Sequence, residues 1–348
     1  MVGSRRAFLR STLGLAAAGS VSASAPKYRM GIGTAACMQR ARADRDASPS
    51  ERFTETLRFL DYCRGLGAGG IQAGLTSLDM SYCARLRDKA ESYGMYVEVS
   101  ARLPKDATDL DRFEQTVIAA REAGASVIRT VMLSGRRYEN FRTLESWKAF
   151  ARQSWKSLAL AEPVLSKHRM SIAIENHKDW RIDEMLAILE RIESESVGVT
   201  VDTGNNMSLL EDPLETAKAF APYANAVHLK DMGLESYRDG FLLAEVPFGE
   251  GCLDLNAIVD TIRAARPETR FTLEMITRDP LKIPCLRDEY WITMGSVPGA
   301  DLAVSLAAVR DHGRPLTRVE HLGPEDRFRI EEENNRACLD YGRAHLNL

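Results

Sequence analysis

Glu175, Asp202, His228 and Glu274 each stand at the end of a short apolar run, at 172–174, 199–201, 226–227 and 271–273. Two glutamates, one aspartate and one histidine are nitrogen and oxygen donors suited to a hard or borderline divalent cation: Mn2+, Mg2+, Co2+ or Zn2+. Taken singly, each has an ordinary reading. An acid after a strand is a helix cap or an ion-pair partner, and a histidine is a core residue. Four separate strands that all end in a favoured metal ligand form a pattern that chance seldom gives. The four are therefore read together as the site of one divalent ion. That site requires strands that run parallel and bring their C-terminal ends to one face, as in a (β/α)8 barrel.

The rest of the chain supplies such strands. Candidate strands lie at 29–36, 70–73, 96–100, 127–132, 171–176, 198–202, 226–229 and 270–276. Helical periodicity separates them, for example over 50–65, 78–93, 110–123 and 147–166. Gly94 and Gly124 sit where helix C-caps would fall, and Asp254 reads as an N-cap. No GxGxxG follows the first strand, which favours a closed barrel over a doubly wound sheet. The sequence thus predicts a (β/α)8 TIM barrel over 26–276 and a C-terminal loop and helical extension over 277–348, packed on the barrel. That tail carries a helical stretch at 324–344 and the pair Tyr290-Trp291, either an apolar wall for a sugar ring or packing for the tail.

Composition narrows the function. The chain has 348 residues, 45% of them hydrophobic, and a formal net charge of -3. No long basic run offers a nucleic-acid-binding face. Six cysteines, at 37, 63, 83, 252, 285 and 338, form no CxxC pair and read mostly as buried small apolar side chains. The N-terminus carries Ser4-Arg5-Arg6-Ala7-Phe8-Leu9-Arg10, then an apolar stretch at 13–19 and Ala23-Ser24-Ala25. This is the pattern of a twin-arginine signal peptide over 1–25, with periplasmic or secreted localisation and no stable membrane anchor. A homo-oligomer is a possible assembly, which the sequence does not decide.

The segments IENH, VDTGN, VHLKD and LEM, which contain Glu175, Asp202, His228 and Glu274, resemble the xylose isomerase-like barrels described as sugar phosphate isomerases/epimerases. Phe248-Gly249-Glu250-Gly251 is similar to that family's GxG turn. The resemblance covers roughly 29–276 and implies a small-molecule sugar substrate and one divalent metal ion. It implies that all four residues ligate the ion, that Glu175 and Glu274 also move protons, and that the ion stabilises an enediolate. Proton return to the opposite face gives epimerisation, and transfer to the next carbon gives isomerisation. Export argues for an unphosphorylated sugar, keto-sugar or cyclitol. Arg129, Arg136, Arg137 and Arg278 are candidates for anion recognition should the substrate be charged.

Further residues belong to the same expected site. His177 either contacts substrate or orients Glu175. Lys230 either polarises a substrate oxygen or pairs with Asp231. Glu250 reaches the site from its glycine turn or stays solvated. Glu98 and Arg129 are charges inside barrel strands, which must be paired or line the site. The main rival function is a lyase or dehydratase, for instance β-elimination of 3-keto-glycosides. A non-catalytic carbohydrate-binding barrel would not need the four ligand positions. An endonuclease IV-like nuclease would need more histidine ligands than a chain with six histidines offers easily, and a basic groove.

Overall fold

The short apolar runs become parallel strands because each is buried on both faces and has a helix to carry the chain back. In the computed structural model, which describes residues 29–295 and 297–348, eleven strands occur in chain order. They are β1 (Gly31–Gly33), β2 (Gly70–Ala73), β3 (Tyr96–Ser100), β4 (Val127–Thr130), β5 (Ser171–Glu175), β6 (Val197–Asp202), β7 (Ala224–Leu229), β8 (Asp231–Tyr237), β9 (Gly240–Val246), β10 (Phe271–Leu273) and β11 (Leu281–Ile283). Eight of them close into a parallel barrel in the order β1-β10-β7-β6-β5-β4-β3-β2. All eight expected barrel strands are present. The twin-arginine segment lies outside the described residues. No described helix is long and apolar enough to cross a membrane.

Register sets the level of the site. Asp202 pairs with His228, and His228 pairs with Thr272 on the next strand. Glu175 pairs with Thr200. Glu274 lies one residue past β10, yet its N–H still donates to the Leu229 carbonyl at 3.0 Å. The four ligand candidates therefore come from four consecutive strands, β5, β6, β7 and β10, which form half of the barrel wall.

One element departs from the expected pattern. Between β7 and the helix Leu255–Ala265 the chain forms a hairpin, β8 and β9, which β11 extends into a separate antiparallel sheet. Leu234, Phe241, Leu243 and Ile283 of this sheet pack with Tyr290, Met294 and Val309 in a second core. Tyr290-Trp291 therefore packs the tail: Tyr290 is buried, and its hydroxyl donates to the Ser208 carbonyl at 2.8 Å. Helix Pro324–His345 takes the place of the barrel's eighth helix. Its buried Glu331 accepts from the Gln39 N–H at 2.5 Å, and Asn335 donates to the Ala36 carbonyl at 2.9 Å. All six cysteines are free, and five are buried.

Arg137 ties three parts together and does not reach a ligand site. It is fully buried, lies 3.7 Å over the Trp147 ring and donates to both Glu184 carboxylate oxygens, to the Asp179 carbonyl and to Thr293. Arg137→Ala leaves these acceptors without a donor and opens space beside the indole. The expected cost is about 3 kcal/mol, near the low end for a broken buried pair because Glu184 is partly solvated, read as a lower melting temperature by calorimetry. Arg136 pairs with Glu139 at 2.5 Å on the surface, so neither arginine serves the candidate site.

Candidate active site

Strand ends position the four candidates around one nitrogen. His228 Nδ1 lies 3.2 Å from Glu175 Oε2, 3.3 Å from Glu274 Oε1 and 3.9 Å from Asp202 Oδ2. One donor atom from each residue falls within 4.8 Å of all the others, and all four residues are buried. Neither His228 Nδ1 nor Asp202 Oδ2 has a hydrogen-bond partner. Lys230 Nζ is 2.7 Å from Asp202 Oδ2, close enough for an ion pair but outside hydrogen-bond alignment. One histidine nitrogen and three carboxylates that converge in this way fit a divalent cation, and Lys230 and a proton on His228 balance the same carboxylates where no cation is bound.

Second contacts aim these donors. His228 Nε2–H donates to Gln72 Oε1 at 2.6 Å, and the Gln72 amide donates to Glu98 at 3.0 Å. This fixes the proton on Nε2 and turns the Nδ1 lone pair toward the carboxylates, as a metal ligand requires. Burial would lower the His228 pKa, but Glu274 and Glu175 outweigh burial and raise it. A cation at Nδ1 would take the place of that extra proton. Asp202 serves twice. Its Oδ1 accepts from the N–H groups of Gly204 and Asn205, at 3.0 and 2.8 Å, which leaves Oδ2 for the cluster. Gln72→Leu removes the acceptor for Nε2–H. It is expected to weaken Mn2+ binding about 10–100-fold, as measured by competition with a chelating dye.

The glutamates are held ionised. Burial pushes the Glu175 pKa up, but Arg129 and His228 outweigh it and hold it well below the usual carboxylate range. Arg129 Nε donates to Glu175 Oε2 at 2.7 Å. For Glu274, burial is likewise outweighed, here by Lys230 and His228, and Lys230 Nζ donates to its Oε2. Lys230 is fully buried, and burial disfavours its charge. Asp202, Glu274 and Glu245 more than compensate and keep it an ammonium at any ordinary pH.

Of the remaining expected residues, the structure brings some in and leaves others out. Lys230 faces the cluster and does not pair with Asp231. The Asp231 carboxylate accepts from Met232, Gly249, Gly251 and Leu253 N–H groups and so builds the glycine turn. Glu250, on that turn, is exposed and sits 3.6 Å from Arg314, so its expected place in the site is corrected. Glu98 is buried like the quartet, its Oε2 accepts from the Gln72 amide that faces His228, and its Oε1 has no hydrogen-bond partner. His177 lies beside the cluster with Nδ1–H donating to the Leu133 carbonyl at 3.0 Å. Burial pushes its pKa down to about 4, so it is neutral and its Nε2 is an acceptor.

A family profile described as xylose isomerase-like TIM barrel matches residues 60–292. The chain belongs to the xylose isomerase-like TIM-barrel family. Among its relatives, the 3-oxo-isoapionate decarboxylase of Pectobacterium atrosepticum is 24% identical over 203 residues, 57% of this chain and 69% of that protein. Two solved structures share the fold. D-psicose 3-epimerase of Clostridium cellulolyticum H10, with D-tagatose, has a TM-score of 0.60 at 12% identity, covering 90% of this chain and 98% of its own. A xylose isomerase-like TIM barrel protein of Mycobacterium smegmatis, in complex with magnesium, has a TM-score of 0.56 at 17% identity, covering 80% and 98%.

This member of the xylose isomerase-like family has site residues that sequence reading passed over. Lys178, buried and in the left-handed region at φ 56°, donates to Asn205 Oδ1, and Asn205 donates to Glu175 Oε1 at 3.2 Å. Burial, then Lys230 and Arg278, push the Lys178 pKa down to about 8. Glu245 on β9 pairs with Arg278 at 2.6 Å. Burial opposes its charge, but Arg278 and Lys230 hold its pKa down to about 2.

Proposed function

We propose that this barrel is a divalent-metal-dependent sugar isomerase or epimerase. It would move a proton beside the carbonyl of an unphosphorylated sugar, keto-sugar or cyclitol. One observation carries the reading. Two ionised glutamates, Glu175 and Glu274, lie 3.2 and 3.3 Å from the same histidine nitrogen, and that nitrogen has no hydrogen-bond partner. Glu175, Asp202, His228 and Glu274 would hold the cation, which supplies Lewis acidity to adjacent carbonyl and hydroxyl oxygens.

The chain's own groups do the rest. One glutamate accepts the proton from the carbon next to the carbonyl. The other returns a proton, to the opposite face for epimerisation or to the neighbouring carbon for isomerisation. Lys230, a permanent ammonium, donates to a substrate oxygen as charge develops on it. Neutral His177 accepts from a substrate hydroxyl. The twin-arginine pattern supports a periplasmic or secreted enzyme, and export favours substrates without phosphate.

A lyase reading has one specific support, the 24% identity to a protein named as a decarboxylase. A decarboxylase reaches the same kind of carbanion by loss of CO2 and then protonates it, and a β-eliminating lyase reaches it by loss of the proton beside the carbonyl and then expels the β-substituent. The test is proton NMR in D2O with the Mn2+-loaded protein, later exchanged to Mg2+, and a panel of ketohexoses and 3-keto-glycosides. Deuterium at the carbon next to the carbonyl, together with an epimer or isomer, supports the first reading. Free aglycone without an epimer supports the lyase and sinks the first reading.

A further inference from the structure

The half of the barrel wall that gives no ligand candidate, β1 to β4, opens onto a groove. Two cavities of about 380 and 410 Å3 form it, and they share Gly74 and Leu75 just past β2. Arg52 lines the first cavity, and Arg102, Arg112 and Arg129 line the second. No Asp or Glu lines either cavity among the described residues. The chain as a whole carries more acids than bases, 49 against 46, so an acid-free groove with four arginines runs against its composition.

The four arginines are not equally committed. Arg129 forms the inner end of the groove and is spent on Glu175. Arg112 is paired with both oxygens of Asp109, at 2.6 and 2.9 Å. Arg102 is exposed, and its guanidinium makes no ion pair or hydrogen bond among the described residues. Arg52 uses only Nε, on the Ala47 carbonyl at 3.0 Å, which leaves its two terminal amino groups. Two uncommitted guanidinium forks, in a groove whose inner end is the Arg129 that holds Glu175, are matched to a planar or tetrahedral oxyanion.

We infer that the substrate carries a carboxylate, as a sugar acid does, which Arg102 binds in this groove with Arg52 further along it, while the reacting carbonyl end reaches past Arg129 to the quartet. The inference deepens the proposed function and rests on it only for the placement of the reacting end. Export, if it occurs, would favour the carboxylate of a sugar acid.

Titration calorimetry on the full chain loaded with Mn2+ tests it, with D-gluconate, D-glucitol 6-phosphate and D-glucitol as probes. They share a six-carbon polyol frame and carry no carbonyl to turn over. D-gluconate is expected to bind about tenfold or more tightly than glucitol. Arg102→Gln should remove most of that preference and leave glucitol binding unchanged, and Arg52→Gln should act in the same direction. Tighter binding of D-glucitol 6-phosphate than of D-gluconate overturns the carboxylate and, with it, the unphosphorylated substrate class. Equal binding of all three probes, no binding of either anion in the millimolar range, or a preference that survives both substitutions overturns the inference. Because binding needs no turnover, an anion preference without deuterium incorporation would mark failure of the proton-transfer reading instead.

Discussion

Glu175→Gln and Glu274→Gln are each expected to lower deuterium incorporation beside the carbonyl by about 10²–10⁴-fold at saturating Mn2+. The substitution keeps the side-chain volume and one oxygen that can face the cation, but it removes the proton acceptor. Each residue is already ionised in the fold, because Arg129 and His228 serve Glu175 while Lys230 and His228 serve Glu274. Losing either one therefore removes an ionised carboxylate from the cluster. On the proposed mechanism one glutamate removes the proton and the other returns it, so epimerisation should separate the two. One variant should still exchange deuterium slowly without forming epimer, and the other should do neither. Asp202→Asn provides the contrast. Asp202 has its Oδ1 on the Gly204 and Asn205 N–H groups, so its loss should appear first as weaker Mn2+ binding. If both glutamine variants retain wild-type exchange at full metal occupancy, the acid/base assignment is wrong.

The site was legible where a strand end and a ligand type coincide. Glu175, Asp202, His228 and Glu274 each follow an apolar run, and burial on both faces forces such a run into a barrel wall. Arg129 stood out for a related reason, since a charge within a buried strand needs a partner, and it found Glu175. Gln72 sits in the same kind of position but is neutral. Nothing in its type signals that it fixes the proton on His228. Lys178 and Asn205 were hidden because loop conformation decides where they point, and the left-handed turn at Lys178 carries no glycine to mark it. The β8–β9 hairpin was missed because only Lys230 separates β7 from β8, and the sequence reading ended its strand at 229 and assigned none to 231–246. Glu250 misled for the converse reason. Its glycine turn is real, but the buried carboxylate that organises it is Asp231, and Glu250 points to solvent.

Lys230→Met is expected to destabilise the metal-free protein by about 3–5 kcal/mol, the range for breaking a buried ion pair from one side. Methionine matches the lysine stem in shape, so the change is almost purely one of charge. The ammonium lies 2.7 Å from Asp202 Oδ2, bonds Glu274 Oε2 and sits 3.9 Å from Glu245. Glu245 keeps Arg278, whereas Asp202 and Glu274 are left facing each other and Glu175 without it. Asp202 is the weak point. Its pKa is already pushed up to about 6 by burial, which the Lys230 charge only partly offsets and to which Glu274 and Glu175 add. In the wild type, Lys230 would also compete with a bound divalent ion for that carboxylate. The variant should therefore gain more stability from saturating Mn2+ than the wild type does, because the ion neutralises charge that the ammonium no longer covers. Thermal melts with and without Mn2+ read both effects. Equal metal stabilisation of the two proteins would mean that Lys230 and the cation do not share the same carboxylates, and the charge balance proposed for the quartet would then be wrong.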